Sequence, residues 1–130
     1  MRGSSQPEPP VIVVLGAGAE AIRREVLAGI EEEGVPYRVD PPQPPDTDTS
    51  ARDLAMRAAQ RSPLQVGVGI GAGGDACVHH AQLAEYLSEL AIVGGDLGAA
   101  RALGHNAARI VVGLPLKPTI GRTDRDGGRT

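Results

Sequence analysis

Three consecutive carboxylates, Glu31-Glu32-Glu33, close a helical run immediately before Gly34 and Pro36. The C-terminal end of a helix carries partial negative charge, so carboxylates there are disfavoured where Lys or Arg would be stabilised. Local stability therefore does not account for them, and a bound cation or a partner surface is the alternative they raise. On a helical wheel of ~100° per residue, the apolar residues Ile22, Val26, Leu27 and Ile30 define the inward direction. Glu33 then lies nearest that stripe, Glu31 to one side, and Glu32 most nearly away from the core. Spacing alone favours a solvated acidic face.

Other groups could do chemistry, and each has a plainer reading. The stretch 11–40 imitates a dinucleotide-binding unit: a strand, then Gly16-x-Gly18-x-x-Ala21, a helix, and Asp40 closing a second strand. Pyrophosphate would sit on the helix N-terminus and ribose on Asp40. Glu20 in the first helical turn opposes a phosphate, and the remaining chain is short for a second nucleotide half. Between Gly67 and Gly74 the glycines suggest a phosphate cradle, but no Lys-Ser or Lys-Thr pair follows, so close backbone contact is the better reading. His79 and His80 are neighbours in a strand and point to opposite faces, so they cannot converge on one ion; one is expected buried and hydrogen-bonded, the other exposed. Cys77 reads as a small core residue, and nothing in the sequence marks a partner for His105. No nucleophile, base and orienting group can be assembled, so no catalytic residue is assigned.

The elements that must position these groups alternate. Residues 11–15 are a β-branched run, hence a buried strand. A turn at 16–18 leads to a helix over 19–33, stopped by Gly34, and residues 37–39 form a short second strand. Prolines 41, 42, 44 and 45 mark an exposed loop. Ser50 and Asp53 resemble a capping box opening a helix whose face is Ala51, Leu54, Ala55, Ala58 and Ala59. Residues 64–70 predict a third strand whose glycines let something approach the sheet. A turn at 71–74 and a fourth strand over 76–80 complete a hairpin. Residues 89–93 predict a fifth strand, and Asp96 caps a last helix with Ala100, Leu103, Ala107, Ile110 and Val111 on one side, ended by Gly113 and Pro115. The expected fold class is α/β, a three-layer α/β/α sandwich around a mixed, about five-stranded sheet. Residues 1–10 and 117–130 read as flexible tails around one domain, 11–116.

With 130 residues and 41% hydrophobic content, a core is possible without disulfides. The chain has no Trp or Phe and two Tyr, so Val, Ile, Leu and Ala must fill that core and stacking platforms for single-stranded nucleic acid are missing. A net charge of −3 leaves no basic footprint for nucleic acid. One Cys excludes an intramolecular disulfide and fits a reducing cytoplasm. No apolar run approaches a membrane span, and the N-terminus is not a signal peptide.

Three blocks carry a resemblance: residues 24–38, from Arg24 through the glutamate run to Arg38; Ser62-Pro63-Leu64-Gln65-Val66-Gly67; and Gly104-His105-Asn106-Ala107-Ala108-Arg109 running into Gly113-Leu114-Pro115-Leu116. In order and spacing the sequence resembles the small (beta) subunit of diol and glycerol dehydratase reactivases, within the dehydratase medium-subunit superfamily. The resemblance implies a non-catalytic subunit of a chaperone-like, ATP-dependent factor that releases damaged cobalamin from adenosylcobalamin-dependent dehydratases by subunit swapping. It implies a large ATPase subunit and dehydratase subunits as partners, and no cofactor bound by this chain alone. The middle glutamate of the run, Glu32, would reach a divalent cation such as Mg²⁺ held with the large subunit, and Glu31 and Glu32 would lie at that interface. A cytoplasmic protein, associated with a bacterial microcompartment, and a homodimer of the isolated chain are further expectations. Around Gly69-Ile70-Gly71 and Val78-His79-His80 the chain looks closer to the dehydratase medium subunit itself, so a compact medium subunit is the alternative. A small dinucleotide-binding protein built on 11–40 is the second.

Overall fold

A computed structural model describes residues 9–16, 19–41, 50–83 and 87–119. The expected turn at 17–18, most of the proline loop, and the greater part of both expected tails lie outside the described residues.

Five strands form one mixed sheet in the order β2-β1-β3-β4-β5: β1 (Ile12–Leu15), β2 (Tyr37–Val39), β3 (Val66–Ile70), β4 (Ala76–His80) and β5 (Ala91–Ile92). β1 pairs in parallel with β2 and β3, while β3–β4 and β4–β5 are antiparallel. The hairpin is the element that makes the sheet mixed, as the sequence predicts. Helices α1 (Glu20–Glu32) and α3 (Leu97–Val112) cover one face, and α2 (Ala51–Arg61) covers the other. The result is the expected three-layer sandwich.

Side-chain alternation assigns the faces. Ile12 and Val14 of β1 join Val66, Val68 and Ile70 of β3 under α1 and α3, in the larger core. Val11, Val13 and Leu15 turn the other way and meet Leu54 and Ala58 of α2. On that face β3 presents Gly67 and Gly69, and the close approach they permit is made by α2 itself. A Cβ on Gly67 would overlap the backbone of Ala55, Ala58 and Ala59, and one on Gly69 the backbone of Ala51 and Ala55. No room remains there for a phosphate.

The helix ends follow local chemistry. The Ser50 hydroxyl accepts from the Asp53 amide at the start of α2, and the Asp96 carboxylate accepts from the Ala99 amide at the start of α3. Gly34 (φ +83°) and Gly113 (φ +79°) take the left-handed conformation after α1 and α3, where a side chain would be strained. Ala19 at the head of α1 has positive φ and makes no side-chain cap.

Three local expectations are corrected. β3 begins at Val66 rather than Leu64, because Ser62 Oγ accepts from the Leu64 and Val66 amides and Gln65 sits at φ +63°. Only Ala91–Ile92 of the fifth segment is strand, since Ser88–Leu90 curls into a 3₁₀ turn. His79 and His80 are both half-buried rather than one buried and one exposed. Packing also includes residues beyond Leu116: Thr119 is buried, and the Lys117 backbone is bonded twice to Asn106.

Candidate functional site

Helices α1 and α3 meet along a seam set by two glycines. A Cβ on Gly29 would overlap the Arg101 carbonyl, and one on Gly104 the Val26 carbonyl. At this separation the long side chains flanking the glycines reach across from helix to helix. Contacts run Glu25 to Arg101, Glu32 to His105 and Glu33 to Arg109, so the two helices point the same way and their C-terminal ends lie together.

This arrangement answers the electrostatic question raised by the glutamate run. α1 has no basic residue in its last turn. Its neighbour supplies the partners, Arg101, His105 and Arg109, four residues apart and hence on one side of α3. Arg101 Nε and Nη2 donate to the two oxygens of Glu32 at 3.2 and 2.8 Å, while its Nη1 donates to Glu25 at 2.6 Å. His105 Nε2 lies 2.7 Å from Glu32 Oε1. Arg109 Nε donates to Glu33 at 3.0 Å and Nη1 to the Pro115 carbonyl at 2.9 Å. Glu31 accepts from the Tyr37 hydroxyl at 3.0 Å, which pushes the phenol pKa up.

The hydrogen bonds from Arg101 and then His105 hold the Glu32 carboxyl far down, at about 2. The same carboxylate, followed by Glu25, raises the Arg101 pKa. Glu32 is thus an anion throughout the physiological range, and its side chain stays 49% exposed. His105 is more enclosed, and the Lys117 ammonium lies 2.9 Å from its Nδ1. An ammonium only donates, so Nδ1 is the acceptor and the ring hydrogen resides on Nε2, directed at Glu32. Lys117 is held in turn by buried Asn106, which donates to the Glu89 and Lys117 carbonyls and accepts from the Lys117 amide.

Among the described residues no group of three or more His, Cys, Asp or Glu could hold a metal ion. The fit to a divalent cation is therefore that of a single contributor. Among the described residues Glu32 Oε1 accepts two hydrogen bonds and Oε2 one. One lone-pair position on Oε2 remains, an oxygen donor of the kind that Mg²⁺ prefers. Glu31, also exposed, stands beside it but is bonded to Tyr37 rather than to the seam.

The remaining candidates are engaged elsewhere. Glu20 pairs with Arg23, and Asp40, the ribose position of the imitated fingerprint, receives Arg38 at 2.6 Å. Burial pushes the Cys77 thiol up and the His79 imidazole down. Beside the seam, at the C-terminal end of α3, Leu83, Ile110, Leu114, Leu116 and Arg109 line a mostly apolar groove of about 390 Å³. Sequence reasoning found Glu32 but missed Arg101, His105 and Arg109. Their four-residue spacing, beside Glu25 and Glu32 seven apart and the glycines Gly29 and Gly104 within the two helices, was the available signal.

A family model described as dehydratase medium subunit matches residues 8–117. The propanediol dehydratase-reactivating factor small subunit of Citrobacter freundii is 34% identical over 115 residues, covering 88% of this chain and 95% of that one. Among solved structures, a glycerol dehydratase reactivase superposes with a TM-score of 0.70 at 29% identity, covering 86% of this chain and 100% of the other. A diol dehydratase-reactivating factor complexed with ADP and Mg²⁺ gives the same TM-score at 33% identity, with coverages of 85% and 99%.

Proposed function

This chain belongs to the dehydratase medium subunit family, and we propose that it is the non-catalytic small subunit of an ATP-dependent reactivating factor. Its clients are adenosylcobalamin-dependent diol or glycerol dehydratases, from which the factor releases damaged cobalamin. The ATPase activity belongs to a large partner subunit. The small subunit acts by exchanging places with the dehydratase subunit of the same fold.

The observation that carries this reading is full coverage of a solved glycerol dehydratase reactivase chain. Within the reading, Glu32 contributes one carboxylate oxygen to a divalent cation held with the large subunit, and Glu31 lies at the rim of the same contact. Such a cation would supply positive charge between Glu32 and the large subunit. What this chain supplies is an ionised, half-exposed carboxylate at a defined place on the α1–α3 seam.

Co-expression with candidate partners tests the proposal. A large ATPase subunit should co-purify, and the pair with ATP and Mg²⁺ should restore an inactivated dehydratase. Co-purification with a catalytic dehydratase subunit instead would make this chain a compact medium subunit. The chain alone should bind neither ATP nor NAD in calorimetry, and micromolar binding of either would sink the accessory-subunit reading. Self-association of the isolated chain is part of the reading, supported by the edge position of β5 and by exposed Val93 beside it. A strict monomer in sedimentation at high concentration would count against it.

A further inference from the structure

Glu32 is held by a layered support. Arg101 takes both carboxylate oxygens in a fork and is itself fixed from behind by Glu25. His105 adds a third bond to Oε1, with its ring orientation set by Lys117. Gly29 and Gly104 bring Arg101 and His105 within reach. A lone surface glutamate would need only one partner for neutralisation. Three bonds to one carboxylate, two of them on the same oxygen, fix its rotation as well as its place.

We propose that Arg101 and His105 are positioning residues that orient Glu32 so that Oε2 serves as a ligand to a divalent cation at the partner interface. The proposal rests on the reading of Glu32 given above. Mg²⁺ tolerates little departure from octahedral geometry, and ligating carboxylates are themselves commonly held by hydrogen bonds whose removal lowers metal affinity 10–100-fold. Because Arg101 is shared between Glu25 and Glu32, its charge does not cancel that of Glu32 alone. The tautomer imposed by Lys117 keeps the His105 Nε2 hydrogen on Oε1, away from the oxygen left for the ion.

The test is a Mg²⁺ titration of association between the full chain and its large subunit, run beside thermal melting of each variant alone. Arg101→Gln should raise the half-saturating Mg²⁺ concentration about tenfold, with association in chelator unchanged. His105→Ala should shift it in the same direction, and His105→Gln, whose amide N–H can occupy the Nε2 position, should restore it. If Arg101→Gln does not fold, the two His105 variants carry the same comparison. Glu32→Gln separates the layers. Should it leave Mg²⁺ dependence intact, the assignment of Glu32 fails and this inference with it. Should it abolish that dependence while Arg101→Gln and His105→Ala keep the wild-type midpoint, only the positioning role is overturned. A lowered midpoint in Arg101→Gln would mean that the guanidinium competes with the ion, which also overturns it.

Discussion

The two faces of the sheet are covered by different means. On the α2 face, Gly67 and Gly69 lie under Ala55, Ala58 and Ala59, backbone against backbone, beside a small cluster of Val11, Val13, Leu15 and Leu54. On the opposite face, branched aliphatics fill the space beneath α1 and α3, and a band of alternating charges crosses the top of the seam. The first contact has one solution, because nothing in it can be re-paired. In the second, the apolar layer holds the helices while the charges above it pair across the seam at the surface. A single fold thus keeps one face as scaffold and gives the other a charged, half-exposed surface.

The largest expected effects test whether both faces depend on close approach. Gly67→Ala and Gly104→Ala should each destabilise by about 3 kcal/mol, as overpacking does where backbone must move. For Gly104 the sign is diagnostic, since alanine in a helix interior would otherwise stabilise by ~1 kcal/mol. Urea unfolding that finds either variant as stable as the parent removes the steric account of that face.

Asn106 belongs to the α1–α3 side alone. Replacing it with Leu leaves the backbone groups of Glu89 and Lys117 unpaired and should cost about 2 kcal/mol. Proteolysis near Lys117 should become faster, and an unchanged cleavage rate would argue that this segment is held by something else.

Smaller effects come from the caps. Ser50→Ala and Asp96→Ala should each cost about 1 kcal/mol. Equal losses would show that α2, alone on its face, is as cooperative with the fold as α3; a much smaller loss for Ser50 would show that α2 opens on its own.

Acid should separate the faces by pH. His79, on the α2 side, has its pKa lowered by burial and then by Arg52 and His80. The unfolded chain therefore binds the proton more readily, and stability falls as pH drops below the ordinary 6.5. Glu32, on the other side, is lowered from 4.5 to about 2, so its contribution is complete above 4.5 and is lost as pH falls towards 2. His79→Gln should flatten the upper limb of a stability–pH curve and Glu32→Gln the lower. If each variant flattens the other's limb, the assignment of the groups to separate windows is wrong.

Legibility in the sequence followed the range of the interactions. Ser50, Asp96, Gly34 and Gly113 act on their own helices, and all four ends were readable from local chemistry. The hairpin was readable because its strands are joined by a short glycine turn. β3 and the fifth segment were misjudged at their edges, where Gln65 and the turn over Ser88–Leu90 answer to neighbours outside the strand pattern. The glutamate run was conspicuous because helix polarity makes it so, yet its partners were not. Arg101 stands 76 residues from Glu25, and Arg109 76 from Glu33, and periodicity within one helix says nothing about which other helix it will meet.

That separation also has a kinetic side. β1, α1 and β2 can associate locally, as can β3 and β4, but the α1–α3 seam closes a loop of most of the chain and bears the larger entropic cost. Docking of α3 is then expected late, after the rate-limiting step, so substitutions along the seam should accelerate unfolding and leave the refolding rate almost unchanged. Amides of α3 should exchange with solvent ahead of those of β1 and β3. The helix that holds Glu32 in place would be the first to lift away, giving the molecule a built-in order of release.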